Sequence, residues 1–236
     1  NEDGSIRQEG INLYAGGDSI PTDNSEFEEI GSTIEIPLNL YVTGTVNIDD
    51  TTHMFSPKVL DRANVIEFND VYFGQLPDDS SFALSELPNY SQYSKPELEA
   101  YEALPNDIKT GIKDIHGLLS QYNMHFGYRT IAEISQFITI SRKCIDGTSA
   151  DIETAALDIQ ILQKILPKFH GNLSKLNEPI LDLIHYLSNT TIEKEKLDFG
   201  TVDSIDLSIT KFPRSLEKLI RMYKNLHLQG FASFIE

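Results

Sequence analysis

Apolar residues recur at helical spacing through the second half of the chain. In "GYRTIAEISQFITISRKCI", Ile131, Ile134, Ile138 and Ser141 fall on one face with polar residues between them, the pattern of an amphipathic helix. "ADIETAALDIQILQKIL" (150–166) stacks Leu157, Ile161 and Ile165 in the same way, and "LNEPILDLIHYLSN" (176–189) continues it. In "PRSLEKLIRMYKNLHLQG", Leu216, Leu219, Ile220, Tyr223 and Leu226 are in register, with Pro213 before and Gly230 after as start and stop signals. "TVDSIDLSIT" (201–210) alternates instead and reads as a strand or an extended arm.

The first part of the chain has another texture. "INLYAGG" (11–17) and "TIEIPLNLYVTGTVN" (33–47) are rich in β-branched residues and read as strands, broken by Pro37 and by Gly- and Asp-rich connectors. "LNLYVTG" is nearly continuous in bulky residues, as expected of a strand covered on both faces. "SPKVLDRA" (56–63) opens with Ser as N-cap and Pro at the first helical position, predicting a short helix, and "NVIEF" (64–68) reads as another buried strand. The fold class is therefore α/β plus all-α: a β-rich piece at 1–75, a polar linker at 76–97 and a helical domain at 98–236. Three strands are few for a covered sheet, and "NEDGSIRQEG" offers no element to nucleate one. The chain reads as cut, with the missing elements upstream.

Composition narrows the functions. A formal charge of −17 over 236 residues argues against this piece being a main phosphate-binding surface, since that work falls to Lys and Arg. The single Cys144 allows no internal disulfide or cysteine-rich zinc site, pointing to a reducing compartment, the cytoplasm, and is expected as a small buried side chain. No run of ~18 apolar residues and no charged-then-apolar leader occurs, so neither a membrane span nor a secretory signal is expected. The six histidines offer no ligand pair: His116 and His125 are too far apart for one helical face, and His170 precedes a glycine expected to stop a helix. Asp49 and Asp50 read as a solvated turn, so no metal site is expected.

"IPLNLYVTGTVNIDDTTHMFSPKVLDRANVIEF" resembles the sensor-1 to arginine-finger segment of AAA+ ATPases, in the McrB-like branch that drives methylation-dependent restriction. "FGYRTIAEISQFI", "DIQILQKILPKFHG" and "FPRSLEKLIRMYKNLHLQGFASFIE" are similar to the helical lid of the same branch. The resemblance implies the truncated end of an AAA+ P-loop core followed by a lid. It implies Asn47 as sensor 1, orienting water at the γ-phosphate; Arg62 as an arginine finger acting on a neighbouring subunit's nucleotide; and Arg129 as sensor 2. The implied cofactor of the full-length protein is ATP or GTP with Mg. The implied partners are further copies in a ring, a hexamer by family habit, and an endonuclease subunit, with DNA reached only indirectly.

The sequence departs from the pattern in two places. Thr51 stands where the McrB segment has an arginine, leaving the base preference open. No G-x-x-x-x-G-K-[ST] and no apolar run ending in Asp-Glu occur, so the chain alone is expected to bind no nucleotide and to be inactive. Simpler roles stand beside the implied ones: Asn47 as a turn residue, Arg62 paired with Asp61 or Glu67, Arg129 in a structural ion pair. The basic helix "RSLEKLIRMYKNLH" reads as a solvated face over a core stripe. The alternative function is a non-catalytic helical protein-interaction or adaptor module.

Overall fold

The computed structural model describes residues 10–12, 19–20, 30–31, 33–36, 40–46, 55–67, 99–189 and 193–235. They belong to two units, Asn1–Val46 with Gly74–Lys95, and Asn47–Phe73 with Pro96–Glu236. The stretch 47–73, expected with the β-rich piece, thus groups with the helices.

In the first unit, β1 (Gly10–Asn12) pairs antiparallel with β4 (Thr33–Glu35), and β2 (Ser19–Ile20) with β3 (Ile30–Gly31). Ile11 lies opposite Ile34, and both are about half exposed. Of the strands read over 33–47, the described residues form one at Thr33–Glu35. The ladder described there ends at Glu35, and residues 40–46 lie outside any strand and are exposed, Val42 at 89%.

In the second unit, Ser56 accepts backbone hydrogen bonds from Val59 and Leu60 and starts α1 (Pro57–Leu60), as the Ser-Pro signal predicts. α2 (Glu99–Glu102) leads into α3 (Asn106–Ser120), which buries Ile108, Ile112, Ile115 and Leu119. α4 (Tyr128–Cys144) buries Ile134 and Ile138, with Ser135 and Ser141 bonded back to the carbonyls of Ile131 and Phe137. Cys144, expected inside, is exposed in the last turn of α4. α5 (Ser149–Gln160) continues into a π-helical turn (Ile161–Ile165) and a 3-10 turn (Leu166–Lys168). The predicted stripe of Leu157, Ile161 and Ile165 is buried along it.

β5 (His170–Asn172) comes next, so Gly171 sits in a strand rather than at a helix end. Asn172 then caps α6 (Leu173–Ser188) by accepting from the Lys175 amide. Residues 201–210, read as a strand or arm, instead contain the end of α7 (Phe199–Asp203), capped by Asp198, followed by turns. α8 (Pro213–Gln229) buries Leu216, Leu219, Met222, Tyr223 and Leu226 and stops at Gly230, whose φ of 76° belongs to the left-handed region. β6 (Phe231–Ser233) returns antiparallel onto β5, pairing His170 with Ser233 and Asn172 with Phe231. Phe169 and Phe234, both about 1% exposed, are joined by a backbone bond beneath this pair.

One cap spans the helical body. Asp158 of α5, 1% exposed, accepts from the amides of Arg214 (3.0 Å) and Ser215 (2.9 Å), while its carbonyl accepts from the Ser215 hydroxyl (2.8 Å). A carboxylate at a helix N-terminus satisfies orphan donors and opposes the helix dipole. "NVIEF" is not a strand across its described residues, 64–67. Val65 makes one backbone bond to Gln163 (3.3 Å) and packs on the helical core, and Ile66 is 65% exposed. Among the described residues, no helix is long and apolar enough to cross a membrane.

Candidate functional site

Of the three residues singled out in the sequence, Asn47 lies outside the described residues. The other two fall on one seam of the second unit.

Arg62 sits in the turn that ends α1. Its amide donates to Val59 (3.0 Å), and Leu60, 5% exposed, anchors the helix in the core. Two lysines from the far end of the α5 segment hold this turn. Lys168 Nζ bonds Asp61 Oδ1 at 2.6 Å, and Lys164 Nζ reaches the Arg62 carbonyl at 3.5 Å. The Arg62 side chain is exposed and makes no hydrogen bond or ion pair with the described residues. Neither carboxylate named as a structural partner for it is used that way. Asp61 goes to Lys168, and Glu67 goes to Lys218 (2.7 Å), with Arg221 at 4.0 Å. Lys218 is itself buried, over the Phe234 ring at 4.6 Å, so α8 turns part of its basic face inward.

Arg129 stands in the first turn of α4, its side chain 54% exposed, and its Nε donates to Glu133 Oε1 at 2.9 Å. The other Glu133 oxygen lies 2.6 Å from Lys164 Nζ. Lys164 is 3% exposed, and a charge so deeply buried requires its counter-ion close by. Glu133 and Lys164 therefore link the two arginines: Arg129 to Glu133, Glu133 to Lys164, Lys164 to the Arg62 carbonyl. The i,i+4 ion pair of Arg129 is the structural role that the sequence left open beside the sensor role, and the exposure of the guanidinium is compatible with both.

The hydrogen-bonded Lys168 ammonium holds the Asp61 carboxyl below the usual carboxylate range, against partial burial, and the charges of Lys168, Arg129 and Lys164 add in the same direction. Beside this pair a cleft of about 640 Å³ opens between α1 and the segment from Pro167 to Lys175. Phe55, Leu60 and Pro167 supply apolar wall, and Lys58, Lys168 and Lys175 supply cations, with Asp61 the one lining carboxylate among the described residues. Lys175 Nζ bonds the His170 carbonyl at 2.9 Å, and His170, whose ring packs edge-on against Phe231 at 4.8 Å between centroids, also lines the cleft.

His116 and His125, which do not share a helical face, nevertheless have ring centroids 5.5 Å apart, because the chain turns back after α3 through Asn123 at φ 57°. Among the described residues, no group of three or more His, Cys, Asp or Glu side chains is placed to hold a metal ion.

Residues 81–231 match the family described as Domain of unknown function (DUF8727). The chain belongs to that family. The DUF8727 region takes in α2 to α8 and with them Arg129, Glu133, Lys164, Lys168 and Lys175, whereas Asp61 and Arg62 precede it. No curated protein and no solved structure matches the chain.

Sequence reasoning missed Lys164, Lys168 and Lys175. The signal available was three lysines within "QKILPKFHGNLSK" in a strongly acidic chain. Their convergence on residues 58–62 was not encoded locally.

Proposed function

We propose that the chain is the end of an AAA+ core and its helical lid, in a motor resembling the McrB-like ATPases, whose NTP hydrolysis drives a DNA-cleaving partner. The observation that carries the reading is the Arg62 turn. Its backbone is pinned by Leu60, Lys164 and the Lys168–Asp61 pair, while its side chain is exposed and has no hydrogen-bond or ion-pair partner among the described residues. An arginine that acts on a neighbour's nucleotide requires that combination. A fixed turn limits the entropy lost on engagement, and an unpaired guanidinium has no internal bond to break first.

In this reading Asn47 orients the attacking water, Arg62 neutralises charge developing on the neighbour's γ-phosphate, and Arg129 couples the lid to nucleotide by exchanging Glu133 for a phosphate oxygen. The exposed 40–46 segment is a second support. An apolar run with Leu40, Tyr41, Val42 and Val46 each at least 47% exposed is unfavourable unless other strands cover it. The chain has no phosphate-cradling Gly-Lys-Ser/Thr loop, and its described residues hold no metal-binding group. Nucleotide and magnesium would thus be held by other parts of the protein.

The test uses the natural protein that carries this chain. Arg62→Ala is expected to leave nucleotide affinity unchanged and to lower turnover by about 10³-fold or more, the scale of arginine fingers in phosphoryl transfer. Mixing Arg62→Ala subunits with subunits defective in nucleotide binding should restore part of the activity, because the arginine serves the adjacent site. Unchanged turnover would remove Arg62 from this role.

A second reading, a helical interaction module, is favoured by the exposed apolar side chains of and beside α4: Tyr128 at 77%, Ile140 at 49% and Ile145 at 53%. It becomes the better account if the natural protein neither binds nor hydrolyses nucleotide.

A further inference from the structure

We propose that the cleft between α1 and the Pro167–Lys175 segment is a binding site for a small phosphate monoester with an apolar body. The inference does not depend on the motor reading, and it starts from local charge. The whole chain carries −17, yet among the described residues the cleft gathers Lys58, Lys168 and Lys175 against Asp61 alone. With Asp61 ionised, the described lining residues carry two positive charges in excess, matching the charge of about −1.5 to −2 on a phosphate monoester near neutral pH. A carboxylate would answer only half of it.

The three cations are not equally engaged. Lys168 is held by Asp61 and Lys175 by the His170 carbonyl, which fixes both ammonium groups at the cleft. Lys58 makes no hydrogen bond or ion pair with the described residues and is left for a ligand. An ammonium acts as a point charge with three donors, suited to phosphate oxygens in varied orientations.

Size and wall chemistry identify the rest of the ligand. At about 640 Å³ the cleft exceeds what a bare phosphate fills and lies within the range of small-molecule sites. Phe55 and Pro167 offer apolar surface beside the lysines, so an aromatic or aliphatic group on the phosphate would leave water there.

The test titrates the full 236-residue chain with phenyl phosphate, inorganic phosphate and benzoate at low ionic strength, following amide resonances by NMR. Phenyl phosphate is expected to bind saturably, with shifts at residues 55–61 and 167–175, and more tightly than either other probe. Lys58→Gln and Lys175→Gln should each weaken it by about tenfold, the scale of one charge-assisted hydrogen bond, whereas Lys143→Gln in the last turn of α4 should not change it. Lys58 is exposed on a short helix, so its variant keeps the test valid if Lys175→Gln fails to fold. The proposal is overturned by the absence of saturable binding at millimolar phenyl phosphate, by equal loss in Lys143→Gln, or by benzoate binding as tightly.

Discussion

One carboxylate, Asp61, supplies the ion pair that ties the Arg62 turn to Lys168. Its pKa is lowered first by the hydrogen bond from Lys168, so the folded state binds that proton less readily than the unfolded chain does. A lowered carboxyl contributes stability that is present above its unfolded value, 3.8, and is lost as pH falls through the folded value. Lys168→Met should return the Asp61 carboxyl towards its ordinary range, read by carboxyl-carbon NMR titration. In the wild-type chain the amide shifts of residues 59–63 should move together below about pH 4. If Asp61 titrates identically in both proteins, the pair does not hold the turn.

Among the helices, the cap that Asp158 provides for α8 is the contact most exposed to a single change. Two amides and one hydroxyl of the first turn depend on this residue. Asp158→Ala leaves the amides of Arg214 and Ser215 without their acceptor and should cost about 2–4 kcal/mol, measured as a shift in the urea midpoint at constant slope. A loss below about 0.5 kcal/mol would mean that water replaces the carboxylate. The helices themselves were legible, because α4, α5, α6 and α8 each carry a 3.6-residue stripe and α8 has Pro213 and Gly230 at its ends. The strands were not. "LNLYVTG" and "NVIEF" have strand composition, but composition does not supply a pairing partner. In the described residues the first is exposed, and the second lies along the helical body on one backbone bond. The candidate site was legible to the same extent. Arg62 and Arg129 were singled out through ordered motifs, whereas the lysines beside the Arg62 turn come from a segment about a hundred positions after α1.

Across the whole molecule, electrostatics act in two opposing senses. The net charge of −17 repels itself in the compact state, so raising salt from about 20 mM to about 150 mM, where the screening length falls to about 8 Å, should raise the melting temperature. The same salt should weaken phenyl phosphate binding at the cleft, where attraction is local. A melting temperature that falls with salt would show that the ion pairs of the second unit outweigh the general repulsion.

The β5–β6 pair constrains the order of events during synthesis. β6 follows α8 directly, yet it completes the ladder that precedes α6, and Phe234 closes over Phe169. The helical body therefore cannot seal its interior while residues 231–235 remain inside the ribosome. Until they emerge, the nascent chain presents Phe169 to solvent and to any chaperone waiting at the exit.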